Sequence, residues 1–222
     1  MSRRALITGG TGFVGSVLAA ALRRDGVEVR TLSRSDEADF SADLGDADRL
    51  RAIVTEFAPS EVFHLAALPS GRRDRELVAA MYHTHVAGTF ALTQALAELE
   101  QPPRLIAAGT LAEYGGAQAP YSEQTLALPV SPYGSTKLIA SELCRLYTMA
   151  TGAPAAVLRA CDLYGPGRSG GYFLPSLIAA LRAGDAFEMS AGEQRRDYLF
   201  VDDFVAALQL AATAPLAGFR IA

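Results

Sequence analysis

The sequence predicts an α/β fold: a doubly wound, mostly parallel sheet with helices on both faces. Short β-type runs alternate with amphipathic helical runs along the chain. A glycine-rich turn, Thr8-Gly9-Gly10-Thr11-Gly12-Phe13-Val14-Gly15, joins the first such run to the first helix. Pro59, Pro102-Pro103 and Pro154 fall where a helix has ended and a strand is about to begin.

Taken in order, residues 5–8 form an apolar strand and 13–24 a helix, followed by a strand at 28–32 and a helix at 46–57. A strand at 62–66 leads into one long helix over 75–99. Its Leu77, Met81, Val86, Phe90 and Leu96 suit an apolar face shared by two chains, and core packing explains them equally well. A strand at 104–107, a helix at 133–148 and a strand at 155–158 come next. Then follow a helix at 174–182, a strand at 198–201 and a helix at 202–212, with 218–222 reading as the start of another strand. The two long loops, 109–132 and 162–172, both follow strand ends, which is the edge of an open α/β sheet where ligands bind.

Composition narrows the classes. The chain has 222 residues, half of them hydrophobic, enough for one sizeable core. No apolar run approaches the about 20 residues that span a bilayer. Met1-Ser2-Arg3-Arg4 leads directly into the first strand without the apolar stretch of a signal peptide, so a cytoplasmic location and no membrane partner are expected. Cys144 and Cys161 show no metal spacing and suit a reducing compartment, and no metal site is expected. A net charge of −4 and scattered arginines give no basic stripe, so nucleic acid is not an expected partner.

The glycine turn lies between a strand and a helix, the context in which such loops bind a dinucleotide pyrophosphate. Gly9 is expected to make the tight turn, Gly12 to let backbone N–H groups approach the phosphates, and Gly15 to let the helix pack on the strand. Thr11, Phe13 and Val14 complete the phosphate-binding stretch at the partly positive helix end. At the end of the second strand, an acidic residue would accept from the adenosine ribose and repel a 2′-phosphate. This chain has Ser33 and Arg34 there, which favours NADP(H); Asp36 and Glu37 keep NAD(H) open. Asp43, followed by Leu44, either accepts from the adenine amino group or belongs to a polar helix entry. The small residues of Leu65-Ala66-Ala67 let a cofactor lie against backbone, and His64 before them reads as a packed strand histidine.

Tyr133-Gly134-Ser135-Thr136-Lys137 opens a helix behind Ser131-Pro132. A spacing of four puts the phenol and the ammonium on one face. A neighbouring ammonium favours the phenolate, so Lys137 is expected to lower the Tyr133 pKa into a working range and to donate to the nicotinamide ribose. Of the 20 basic residues Lys137 is the sole lysine, and an arginine could not join a proton relay. Thr110, at the end of the fourth strand, supplies a hydroxyl to hold a substrate carbonyl, or is an ordinary turn threonine.

These motifs together resemble the extended short-chain dehydrogenase/reductases, and more narrowly the NAD-dependent epimerase/dehydratase family that modifies nucleotide sugars. The motifs are the glycine turn, His64-Leu65-Ala66-Ala67, Thr110 before Tyr114-Gly115, Ser131-Pro132-Tyr133-Gly134-x-x-Lys137, Leu158-Arg159-x-x-Asp162-Leu163-Tyr164-Gly165-Pro166-Gly167 and Arg196-Asp197-Tyr198-x-x-Val201-Asp202-Asp203. The resemblance spans essentially the whole chain. It implies a Rossmann-type domain over 1–222, with 162–196 forming part of a small substrate lobe, and a homodimer. It also implies that Tyr133 is the general acid/base, that Lys137 binds ribose and tunes it, and that Thr110 binds the reacting oxygen. Arg196 falls where the family contacts nucleotide phosphates; an ion pair with Asp197 or Asp202 is the alternative.

The departures are informative. His85 replaces an Asn in the long helix, and Asp162 replaces an Asn after the fifth strand. The Asp-Glu pair of the sugar 4,6-dehydratases is Leu111-Ala112 here, which argues against dehydration, with Glu113 a weak substitute and a candidate substrate contact. The segment 109–115 looks more like the 4-ketosugar reductases. Family members usually continue for about another third, so the chain ends before the expected C-terminal sugar-binding region. An NADPH-dependent 4-keto-6-deoxysugar reductase is therefore expected, with a 4-epimerase as the close rival and a non-catalytic NADP-binding sensor as the reading from another class.

Overall fold

The computed structural model describes residues 3–70, 72–168 and 171–222. In chain order the strands are β1 (Arg4–Thr8), β2 (Glu28–Ser33), β3 (Phe40–Ser41), β4 (Glu61–His64), β5 (Arg104–Thr110), β6 (Ala155–Ala160), β7 (Asp162–Tyr164), β8 (Tyr198–Phe200) and β9 (Phe219–Ile221). The helices are α1 (Phe13–Arg24), α2 (Ala47–Phe57), α3 (Arg75–Met81), α4 (Gly88–Ala97), α5 (Pro132–Thr151), α6 (Phe173–Ala183) and α7 (Val201–Thr213). Seven strands form one sheet in the order β3-β2-β1-β4-β5-β6-β9, and every pairing in it is parallel.

The alternation of side chains along each strand feeds two cores. Leu6, Val62, Leu105 and Val157 point to one face, where Leu50, Ile53, Leu92 and Leu96 cover them. Ile7, Phe63, Ile106 and Leu158 point to the other, against Leu18, Leu22, Phe204 and Leu208. Both faces are closed by helices, as a parallel sheet requires. β1 pairs with β2 on one side and β4 on the other, so the chain winds away from it in opposite directions. That reversal opens a crevice at the carboxyl ends of β1 and β4.

The single helix expected over 75–99 is instead three segments. Between α3 and α4 lies a π-helical stretch, Tyr82–Ala87. Its wider turn carries His85 into the interior, where the side chain is buried, and the Thr89 hydroxyl takes the His85 carbonyl. Met81 and Leu96 are fully buried, so they belong to the core and to no shared face; Phe90 and the neighbouring Tyr82 are about half exposed.

Beyond the main sheet, β7 and β8 form a two-stranded parallel sheet, and α6 follows β7. No residue of α6 is buried. Among the described residues, no helix is long and apolar enough to cross a membrane.

Candidate active site

A cleft of about 320 Å³ opens at the carboxyl ends of β1, β2 and β4. Its walls include Gly9, Thr11 and Gly12 of the glycine turn, Ser33, Arg34 and Ser35 after β2, Asp43 and Leu44, and Leu65, Ala66 and Ala67 after β4. No side chain caps α1 at Gly12, which leaves the first-turn N–H groups directed at the cleft. Gly9 turns the chain at φ 70°. A Cβ on Gly15 would lie 2.2 Å from the Gly9 carbonyl oxygen, so only glycine lets α1 start this close to the turn. This cradle fits a dinucleotide pyrophosphate. Phe13, Val14 and Gly15 lie behind it in α1 and do not line the cleft.

The end of the cleft beside β2 is lined by Ser33, Arg34 and Ser35, none of them acidic. The Thr11 hydroxyl donates to Ser33 Oγ at 2.9 Å, and the Ser35 N–H donates to the same oxygen at 3.0 Å. Asp39, the acid whose carboxylate packs against β2, is occupied by the N–H and hydroxyl of Thr31 and by Arg23 and Arg30. Asp43 Oδ1 is 2.6 Å from His83 Nε2 and accepts from the Gly45 N–H at 2.7 Å. The backbone bond, with His83 behind it, holds its carboxyl below the usual range despite partial burial.

Thr110, Tyr133 and Lys137 come together where β5 ends and α5 begins. Ser131 caps α5 by accepting from the Gly134 N–H at 3.1 Å, and Pro132 fills the first turn. A Cβ on Gly134 would lie 2.3 Å from the Ala112 carbonyl oxygen. Its absence lets the start of α5 press against the turn after β5, which brings Tyr133 to Thr110. Thr110 Oγ1 accepts from the Ala112 N–H at 3.2 Å, leaving its own O–H free to donate. Burial pushes the Tyr133 phenol up to about 12, with the Thr110 side chain pulling the other way.

Two expectations fail here. Lys137 does not lower the Tyr133 pKa: it is buried and donates to the Ala108 carbonyl at 2.6 Å, and the phenol is shifted upward instead. Glu113 is no substrate contact. It is fully buried, accepting from the Thr110 N–H at 2.9 Å and the Ser141 hydroxyl at 2.9 Å, and pairing with Arg159 at 2.8 Å. Burial pulls the Lys137 ammonium down, and the Glu113 carboxylate opposes that pull.

A second cavity, of about 550 Å³, lies between β7, β8 and α6. Asp162 and Arg196 both line it and face each other at 3.5 Å, both more than half exposed. Arg196 therefore meets neither Asp197 nor Asp202. Arg168 stacks on Tyr172, 3.6 Å from the ring centroid, and on Phe13 at 5.1 Å, so it ties this cavity to the start of α1.

Residues 5–220 match the NAD dependent epimerase/dehydratase family. The chain belongs to that family. Among its epimerase/dehydratase relatives, a dTDP-6-deoxy-L-talose 4-dehydrogenase (NAD(P)(+)) from Kitasatospora kifunensis is 33% identical over 94% of this chain and 70% of its own length. A UDP-glucose 4-epimerase from Mycolicibacterium smegmatis is 31% identical over 92% of this chain and 71% of its own. The solved structure of MoeE5 in complex with UDP-glucuronic acid and NAD superposes with a TM-score of 0.86 at 33% identity, covering 98% of this chain and 75% of that one. This member of the family is thus an NAD(P)-dependent enzyme by descent, built on the Rossmann-type sheet.

Within this epimerase/dehydratase domain, sequence reasoning missed Ser35, Leu68 and Thr84 in the cofactor cleft, and Arg168 and Tyr172 in the second cavity. Ser35 was adjacent to a named pair and could have been added on spacing. Leu68 and Thr84 lie in a loop and in the π-helical stretch, and no periodicity points to either. Among the described residues, no group of three His, Cys, Asp or Glu could hold a metal ion.

Proposed function

We propose that this chain is an NADPH-dependent reductase of a nucleotide-linked 4-keto-6-deoxysugar. Bound NADPH would supply the hydride. Tyr133 gives its proton to the oxygen of the carbon being reduced, while the Thr110 hydroxyl donates to the same oxygen and fixes its position. The two stabilise the negative charge that develops there. Lys137 has three N–H donors and uses one on Ala108, leaving two for ribose hydroxyls.

The observation that carries this reading is the seating of Tyr133 beside Thr110: Gly134 lets the start of α5 press on the Ala112 carbonyl, and Thr110 keeps its O–H free to donate. Elimination is disfavoured because Leu111 and Ala112 carry no acid, and Glu113, the next residue along, is spent inside the protein. The Kitasatospora relative is named for the dehydrogenation at C4 that is the reverse of this step. Ser33, Arg34 and Ser35, with no acid among them, favour a 2′-phosphate. The 162–196 segment, with Arg196 and Asp162, is the substrate lobe; two such chains form a homodimer, acting in the cytoplasm.

A 4-epimerase is the second reading, favoured by the relatives named so and by the same Thr110, Tyr133 and Lys137. Purification with unexchanged NAD would support it over the reductase. The decisive assay follows NADPH consumption with dTDP-, UDP-, GDP- and CDP-linked 4-keto-6-deoxyhexoses. Tyr133→Phe should lower kcat by about a hundredfold or more, while NADPH still raises Tm. Unchanged turnover in the variant removes Tyr133 from the chemistry, and no turnover by the wild type leaves the sensor reading standing.

A further inference from the structure

Glu113 has no exposed surface and three protein partners, all within 3 Å. One carboxylate oxygen accepts from the Thr110 N–H, and the other accepts from Ser141 and from Arg159 Nε. Arg159 is itself almost wholly buried, its guanidinium 4.5 Å over the ring of Tyr114. A buried ion pair is a poor device for stability, since apolar residues of similar volume usually serve as well. Its position relative to the site explains it better. We propose that Glu113 is the positioning residue of this active site: it anchors Thr110 through its backbone N–H and, held by Ser141 one turn along α5 from Lys137, places a carboxylate on the face of the helix that carries the lysine. This rests on the reductase reading for what Thr110 and Lys137 do, though not for where Glu113 sits.

The surroundings of Lys137 single out Glu113. From β4 and the π-helical stretch come His64 and His85, whose pKa values burial pulls down to about 3, so both are neutral. On α5 itself are Tyr133 and Cys144, both pushed up to about 12 and neutral as well. Arg159 of β6 lies against Glu113 and is not among the groups that move Lys137. Glu113 is thus the larger of the two influences that oppose the desolvation of the ammonium, Cys144 being the smaller. The same carboxylate pins the strand end, and Thr110 Oγ1 is then held by the Ala112 N–H with its O–H free.

Lys137 is the sole lysine, so protein grown on carbon-13 lysine gives one Cε resonance whose pH titration reads this amine directly. In Glu113→Gln the titration midpoint should fall by about one pH unit or more. In the same variant kcat should fall about tenfold or more, with KM for the nucleotide sugar nearly unchanged. If Glu113→Gln does not fold by circular dichroism, Glu113→Gln/Arg159→Met leaves no unpaired charge and is read the same way. A folded variant with the wild-type midpoint and wild-type kcat overturns the proposal, because a purely structural glutamate would move stability alone. Absence of turnover in the wild type defeats the functional reading, while the lysine titration still decides the role of Glu113.

Discussion

His64 and His85 form a directed chain whose hydrogen positions follow from their partners. The Leu68 N–H donates to His85 Nε2 at 2.9 Å, so in the neutral ring Nδ1 carries the proton and donates to Thr136 Oγ1 at 2.8 Å. Thr136 then donates to a carbonyl of the first turn of α5, Pro132 or Tyr133. Thr89 donates to the His85 carbonyl, so it accepts from His64 Nε2–H at 2.9 Å, and Thr8 donates to His64 Nδ1 at 2.7 Å. The His85 ring also meets the Tyr133 ring edge-on, centroids 5.7 Å apart. Protonating either ring breaks an acceptor role, and burial already holds both near 3 against an ordinary 6.5. Above pH 6.5 both are neutral folded and unfolded and cost nothing. As pH falls from 6.5 toward 3 the unfolded chain binds two protons that the folded chain does not, and stability is lost. His85→Asn removes one of these sites. Its unfolding free energy should therefore fall less steeply below pH 6.5 than the wild type's, by about 1 kcal/mol per pH unit; parallel denaturation curves would show that His85 does not titrate on unfolding.

The contact between α5 and the turn after β5 decides whether the chemical groups meet. Gly134→Ala forces a methyl to within 2.3 Å of a backbone oxygen that no side-chain rotation relieves. The start of α5 must retreat, at a cost of about 1–3 kcal/mol in stability. Tyr133 would retreat with it, and a shift on the order of 1 Å should lower kcat by about a hundredfold. Chemical denaturation and steady-state rates measure the two effects, and an unaltered rate would mean that this contact does not set the Tyr133–Thr110 distance. The Tyr-Gly-x-x-Lys spacing made the shared helical face readable in the sequence, because spacing and face are the same local fact. The glycine turn was readable for the same reason. The direction of Lys137 toward Ala108 was not, nor was the capture of Glu113 by Arg159, 46 residues further on. Both depend on which strand lies beside which. The helix interruption at 82–87 escaped because its cause is tertiary: His85 is drawn inward by Leu68 and Thr136, and its own segment gives no breaker residue.

At the scale of the molecule, the sheet already has both faces covered, yet its helical layer still shows apolar residues to solvent. Tyr82 and Phe90, eight residues apart across the π-helical stretch and α4, are each about half exposed. On α5, which packs beside α4, Ile139 and Leu146 lie seven residues apart and Met149 is 69% exposed. Residues spaced this way share one helical face. The two cores account for the inward faces of both helices and leave these five side chains outside either core. The homodimer proposed above gives them a role: two copies apposing α4 and α5 would bury them on one another. Light scattering should give the mass of two chains. Phe90→Glu with Leu146→Glu places two charges in the apposed surface, where desolvation without a partner is unfavourable, and should give a monomer. That monomer should still bind NADPH, because the cofactor cleft is walled by the other ends of β1, β2 and β4. Its Tm should fall and lose its dependence on protein concentration, since only an assembly links stability to mass action. A wild-type monomer, or a charged pair of variants that remains dimeric, would move the interface elsewhere and return these apolar residues to the ordinary surface.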